Sequence, residues 1–324
     1  MTRQVPAPLD WLTQGPSWVR HRALRDLEGR SAGDPEVEAA YGKMVADPPV
    51  AALIAEVNGW GDQSPVTRHN DSGHVLHKLV FAADIGVRRA ELAPAIDAIL
   101  AHRSPEGPLQ VRVEIPVAFG GDGVPKWDWV ACDSPLVHCA LLRLGVTDAT
   151  AMAGVDHLRS RVGAEGFPCF AAETMGKFKG PGRRGDPCPY ANLAIARMLG
   201  ASPELSVSEE AARAAAMLLH HWEVRREKKY YLFGIGTDFA KPKAPMVWYD
   251  IVHYVDVLTG IPSVRRDARL AEAVDLLAAQ ADVDGRLTAG SVWTKWKGWE
   301  FCQKKEPSYW LTFLLHRALK RMAA

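Results

Sequence analysis

Four apolar stretches with helical spacing each run to a glycine: Val75 to Gly86, Leu136 to Gly145, Tyr190 to Gly200, and His253 to Gly260. The glycines recur at intervals of roughly 55 to 60 residues and stand where helix C-caps belong. An irregular, Gly-rich segment precedes each stretch, as in Gly59-Trp60-Gly61, Gly120-Gly121-Asp122-Gly123, residues 163–185, and Gly234-Ile235-Gly236. A fifth copy runs from Asp284-Gly285-Arg286 through a Trp-rich loop to a closing helix from Pro307 to Leu319, which lacks the glycine. Amphipathic helices such as Ala211 to Trp222 and Ala268 to Ala279 fill the intervals. The unit is therefore outer helix, loop, inner helix.

About five such units can stack as an open solenoid or close into a ring. The inner helices are almost continuously apolar, which does not suit an inner layer wetted on one side. Trp127, Trp129, Trp248, Trp293, Trp296, Trp299 and Trp310 all stand in or beside loops that feed an inner helix. Together these features predict an all-α fold in which a closed double ring of helices surrounds a central cavity. The chain reads as one domain over residues 1–324, with a helical lead-in at about residues 1–50. Strand patterns are confined to loops, at Leu109 to Ile115 and at Tyr230 to Phe233.

Lys+Arg 39 against Asp+Glu 38 leaves almost no net charge, so nothing global points to nucleic acid. No stretch is long and uncharged enough for membrane insertion, and the first residues lack the pattern of a signal peptide, so a cytoplasmic location is expected. Five scattered cysteines do not form a disulfide framework, and Cys132, Cys139 and Cys169 read as small core residues. The oligomeric state is not encoded in any of these patterns.

Two short motifs carry the chemistry. Asp186-Pro187-Cys188 opens one inner helix, and Asp250-Ile251-Val252-His253 opens the next. Asp, Cys and His together offer oxygen, sulfur and nitrogen to a tetrahedral Zn²⁺ while leaving a fourth position open, as catalysis requires. Inner helices that all run the same way place their N-termini on one rim, so ligands from successive repeats can converge. Asp186 before a proline is equally a common N-cap arrangement. A thiolate at Cys188 would be favoured by its helix N-terminus, and Asp250 suits orienting His253 or capping its helix.

These repeats and motifs resemble the (α/α) toroids of the terpenoid-cyclase and protein-prenyltransferase β-subunit superfamily. In the prenyltransferase β-subunits an Asp-x-Cys opens one inner helix and an Asp-x-x-His opens the next, followed by an apolar run and glycine. The resemblance spans the repeats from about Leu53 onward and implies that Asp186, Cys188 and His253 are zinc ligands. The tyrosine that follows the family's cysteine is displaced by Pro189 to Tyr190. The Asp-x-Asp-Asp motif of protonating cyclases is missing; Trp127-Asp128-Trp129 followed by Asp133 is its nearest counterpart, so squalene-type cyclisation is not expected.

Other candidates gather at the same expected rim. Asp133 and His138 open the second inner helix as possible acid–base groups, with His138 readable equally as a core histidine. His69, Asp71, His74 and His77 form a cluster suited to a cavity acid or base, or to plain surface. Lys177, Lys179, Arg183 and Arg184, interleaved with glycines, suit an anion such as a diphosphate or a solvated loop. The resemblance favours Arg183 and Lys179 as diphosphate contacts. Tyr190, Trp248, Trp296 and Trp299 are expected to wall the substrate site. The functional expectation is a zinc-dependent, prenyltransferase- or cyclase-like enzyme acting on a small hydrophobic or amphipathic molecule. The alternatives are a zinc hydrolase or lyase on a neutral aromatic substrate, and a non-catalytic isoprenoid-binding protein.

Overall fold

The computed structural model describes residues 5–176, 178 and 186–324. Its helices are α1 (Leu9–Gln14), α2 (Ser17–Arg22), α3 (Pro35–Ala46), α4 (Pro48–Asn58), α5 (Val75–Ile85), α6 (Ala93–Ala101) and α7 (Ser134–Arg143). They continue with α8 (Ala149–Arg159), α9 (Pro189–Leu199), α10 (Pro203–Ser206), α11 (Glu209–Glu223), α12 (Ile251–Thr259), α13 (Ala268–Ala278) and α14 (Tyr309–Ala323). A π-helical turn, Ala23–Leu27, extends α2. Local sequence explains most of the starts. Proline sits in the first turn of α3, α4, α7 and α9, where its missing N–H is not needed. Side chains of Asp148, Ser208, Asp250 and Ser308 accept hydrogen bonds from the first free N–H groups of α8, α11, α12 and α14.

Helices α9 and α12 are buried on every side, α5 and α7 nearly so, and α14 is buried from Trp310 to Ala318. Helices α4, α8, α11 and α13 bury one face each, against α5, α7, α9 and the α12–α14 pair respectively. The sequence of packing runs α5 on α7, α7 on α9, α9 on α12 and α12 on α14; α14 then meets α2 and the π-turn, and α2 meets α5. The N-terminal segment thus lies between the last buried helix and the first. Trp11 stacks on Tyr309 at 3.8 Å between ring centroids. Gly15 passes so close to the same ring that a Cβ there would sit 2.4 Å from it, so only glycine fits.

All four repeat glycines follow helix ends, yet they do not share one geometry. Gly86 and Gly145 take the left-handed conformation, with φ of +90° and +72°. Gly200 and Gly260 remain right-handed, with φ of −68° and −70°, so no glycine-specific backbone is needed there. The pattern at Leu109 to Ile115 yields β1 (Val111–Val113), which pairs antiparallel with β2 (Lys126–Asp128), Arg112 facing Trp127. Tyr230 to Phe233 is a tight turn, closed by the Phe233 N–H donating to the Tyr230 carbonyl at 3.0 Å. No helix among the described residues is long and apolar enough to cross a membrane.

A buried polar network ties the all-round buried helices together. On α9, the Arg197 guanidinium donates to Asp84 of α5 at 2.5 Å, to the Met246 carbonyl at 2.9 Å and to His253 Nε2 of α12 at 3.1 Å. Arg143 of α7 shares Asp84. On the other side, Arg317 and Arg321 of α14 share Asp256 of α12, and Arg317 also reaches Asp26 in the π-turn. Burial alone would penalise the Asp256 charge, but these arginines hold its pKa far below the usual carboxylate range. Truncating one partner strands the others in low dielectric, which typically costs about 3–5 kcal/mol. Arg197→Met should therefore lower unfolding stability by about 3 kcal/mol or more, read from the urea midpoint. Adding Asp84→Asn should deepen the loss by much less than the sum of the single effects, because the two residues share one interaction.

Candidate functional site

The loops that feed α5, α7, α9 and α12 meet around one cavity of about 360 Å³. Ile115, Phe119, Phe178, Leu232, Phe233 and Trp248 give it an apolar wall. Three cysteines, Cys132, Cys169 and Cys188, line it as well, together with His69 and Arg68. Phe119 is 48% and Leu232 is 67% exposed, so the mouth is rimmed with uncovered apolar surface, and Arg68 is exposed beside them. Phe178 lies within the Gly-rich basic segment and Cys188 just after it. Lys177, Lys179, Arg183 and Arg184 themselves lie outside the described residues.

His69 and Asp133 form the most organised polar pair of this cavity. His69 Nδ1 lies 3.0 Å and 2.9 Å from the two oxygens of Asp133, whose side chain is 1% exposed. The His77 ring bonds to the His69 carbonyl at 2.9 Å and steadies the loop. Asp133 stands at the N-cap position of α7 but makes no cap, because its carboxylate is turned to the imidazole. With Nδ1–H donating to Asp133, the ring is held in the tautomer that leaves Nε2 as a base. Among the described residues Nε2 has no hydrogen-bond partner. Burial disfavours charging of His69, but the charge and hydrogen bond of Asp133 outweigh it and raise the pKa above the ordinary histidine value.

The expected metal ligands are placed differently. His253 is fully buried and both its nitrogens are engaged: Nδ1 bonds to the Trp248 carbonyl at 2.7 Å, and Nε2 faces Arg197. Burial and the Arg197 charge drive its pKa well down, so the imidazole is neutral. Asp186 is drawn toward Lys228, 3.5 Å away, and its carbonyl accepts from the Tyr231 hydroxyl. Cys188 does reach the cavity, but burial pushes its thiol up to about 12. Among the described residues no three His, Cys, Asp or Glu side chains are grouped to hold a metal ion. The Asp186, Cys188 and His253 set therefore does not fit a tetrahedral zinc centre, chiefly because an arginine occupies the ligating edge of the imidazole.

The remaining expected residues divide between wall and core. Asp250 caps α12 through the His253 N–H at 3.1 Å, and burial raises its carboxyl to about 6. His138 is buried, accepts from the Leu109 N–H at 3.1 Å and is pushed down to about 3 by burial. Its ring rests on Gly154, where a Cβ would approach it to 2.4 Å, which marks a packed core histidine. Asp71 and His74 do not face each other: Asp71 accepts from Gly73, while His74 caps α5 through Leu76 and bonds to Ser64. Trp248 lies in the cavity wall, backed by Tyr190, whose hydroxyl donates to Val247. Trp296 and Trp299 pack instead with Phe81 and Phe301 in a separate aromatic cluster.

Cys132 and Cys169 line the cavity, a placement that the spacing of cysteines concealed. One signal was present. Aligning Ser134-Pro135 with Cys188-Pro189 puts Cys132 where Asp186 stands in the next repeat, at the rim. No protein-family model matches the chain, and a search of curated proteins returns no significant relative.

Cys188 offers a direct check on this environment. A thiol at about 12 carries far less thiolate at pH 8 than one at about 8.5. Iodoacetamide should alkylate Cys188 in the folded protein roughly three orders of magnitude more slowly than in urea, with the rate rising about tenfold per pH unit above neutrality. Peptide mass spectrometry reads this site by site. Rapid labelling of Cys188 at pH 7 would show an activated thiolate instead.

Proposed function

We propose that this chain is an (α/α) toroid that holds a small amphipathic molecule in the cavity at the N-terminal ends of its buried helices and acts on it by general-base catalysis. The closed succession of packed helices supports the toroid, as does the alternation of all-round buried and one-face-buried helices. The apolar body of the ligand, isoprenoid or aromatic, lies against Phe233 and Trp248, and an anionic or polar end reaches Arg68 at the mouth.

The observation that carries the catalytic reading is the buried Asp133 carboxylate gripping His69 Nδ1 beside an apolar cavity. His69 Nε2 would accept a proton from a water molecule or from the ligand. Asp133 would stabilise the imidazolium and fix its orientation, and the proton would pass on to the leaving group. In hydrolysis of a neutral ester, the water oxygen forms a bond to the carbonyl carbon, its proton goes to His69, and the bond to the leaving oxygen breaks. Zinc enters none of these steps, since the His253 nitrogens are already engaged.

A second reading, a non-catalytic carrier of the same ligand class, is favoured by one observation: burial keeps the thiols Cys132 and Cys188 protonated, so the apolar wall is chemically quiet.

Three probes separate the readings. p-Nitrophenyl butyrate, a neutral apolar ester, reports turnover, and farnesol and farnesyl diphosphate report binding through quenching of tryptophan fluorescence. His69→Ala should lower kcat/KM for the ester by about 10²- to 10³-fold and leave farnesol affinity within about twofold. The neutral imidazole is the active form, so kcat/KM should rise with pH through a midpoint above the ordinary 6.5, and Asp133→Asn should move that midpoint down. Trp248→Ala should weaken both isoprenoids. Arg68→Ala should weaken the diphosphate alone by roughly tenfold, the worth of one charge-assisted contact. Retained farnesol binding with ester hydrolysis indifferent to His69 would leave the carrier reading standing.

A further inference from the structure

At the other ends of the same helices lies a second, larger cavity of about 610 Å³. It opens among the C-terminal turns of α5, α7 and α9 and the flanks of α2 and α14. Among the described residues its walls carry seven arginines, Arg22, Arg25, Arg88, Arg89, Arg143, Arg317 and Arg321, and a single carboxylate, Asp84.

The carboxylates around it are shared rather than matched. Asp84 serves both Arg143 and Arg197, Asp256 serves both Arg317 and Arg321, and Asp26 serves both Arg22 and Arg317. Arg88 pairs with Glu38 and feels Glu91. Eight guanidiniums, counting Arg197 behind the wall, thus face five carboxylates. His21, also in the wall, adds no charge near neutrality because burial pushes it down to about 4. Arginine does not shed its proton in proteins, so the excess cannot be relieved by deprotonation. Arg143 shows the resulting stress: burial first, then the charges of Arg197, Arg317 and Arg22, pull its pKa well below the ordinary arginine value. The Arg22 Nε is buried without a hydrogen-bond partner among the described residues. Arg89 is exposed at the edge and makes no ion pair among the described residues.

Helix C-termini carry partial negative charge that offsets some of this surplus. Last-turn arginines serving only that end need no cavity. Here they surround one, and their planar forks match phosphate oxygens two at a time.

We infer that this arginine-lined cavity binds a compact ligand bearing two or more phosphate groups, at a site separate from the apolar cavity. The ligand supplies the negative charge that the three shared aspartates do not. It also bridges α2, α5, α7 and α14, so its binding tightens the closure between the N-terminal segment and the buried helices.

Inorganic pyrophosphate and tripolyphosphate are the probes, titrated calorimetrically into the full chain, with melting followed in parallel. The expected result is one site per chain with Kd below about 100 µM for tripolyphosphate, and a rise in Tm of about 3 °C or more at saturation. Arg25→Ala with Arg89→Ala removes two wall cations that make no ion pair among the described residues; Arg25 gives up only a hydrogen bond to the Arg30 carbonyl, so the ion network is kept. That variant should bind at least tenfold more weakly, while Arg68→Ala, at the apolar cavity, should bind tripolyphosphate as wild type does. A Tm shift no larger than that produced by sodium chloride at equal ionic strength would overturn the inference. Equal affinity in wild type and in the Arg25/Arg89 variant would overturn it as well.

Discussion

Arg197 sits where three of the buried helices meet, and much of the remaining geometry follows from how its guanidinium is satisfied. Isolated in the interior it would carry a desolvation penalty of several kcal/mol. Asp84 supplies the countercharge from α5, and the Met246 carbonyl and His253 supply acceptors from the approach to α12 and from α12 itself. Each of these partners is thereby fixed. His253 must present Nε2 to the arginine and Nδ1 to the Trp248 carbonyl, which holds the backbone of Trp248 beside the apolar cavity. One buried cation thus links the packing of α5, α9 and α12 to the wall of the candidate site.

The two ends of the buried helices carry different linings. At the N-terminal ends, positions that could simply cap are assigned individually. Asp250 and Ser308 cap their helices, whereas Asp133 gives up capping to hold His69, and Cys188 turns its thiol to the cavity. The described residues that line the cavity at this end are mainly aromatic and apolar, so the few polar groups buried among them act in a medium where each hydrogen bond is strong and each unpaired charge is expensive. At the C-terminal ends the lining is cationic, and carboxylates are shared between arginines. The apolar end suits an uncharged body and the cationic end suits a polyanion, with the ion network lying between them.

Much of the helical architecture was legible in the chain. Apolar runs ending near Gly86, Gly145, Gly200 and Gly260 located α5, α7, α9 and α12 to within a few residues, because burial on all sides forces near-continuous apolar sequence. The site was legible only in part. Trp248, Cys188, Asp133 and His69 were marked as rim residues and do gather there, since loops feeding parallel helices have nowhere else to go. His253 had the same sequence credentials as a metal ligand. Its Nε2 faces Arg197, distant by 56 positions, and no local pattern reports that contact. Trp296 and Trp299 were expected in the same cavity, yet they meet Phe81 across the chain and line a separate pocket of about 290 Å³ beside Lys295 and Lys297.

The amino-acid sequence by itself determined the periodicity: where the apolar inner helices run, which of them are buried all round, and at which end the loops that feed them gather. These follow from local propensity and from the hydrophobic effect acting on runs of neighbouring residues, both of which are written in short stretches. Only the tertiary structure decided which polar group meets which. Pairing Asp133 with His69, Arg197 with His253, and seven arginines around one cavity joins residues far apart in the chain. The free energy of a buried charge depends on the few groups that surround it in space, and sequence order does not specify them.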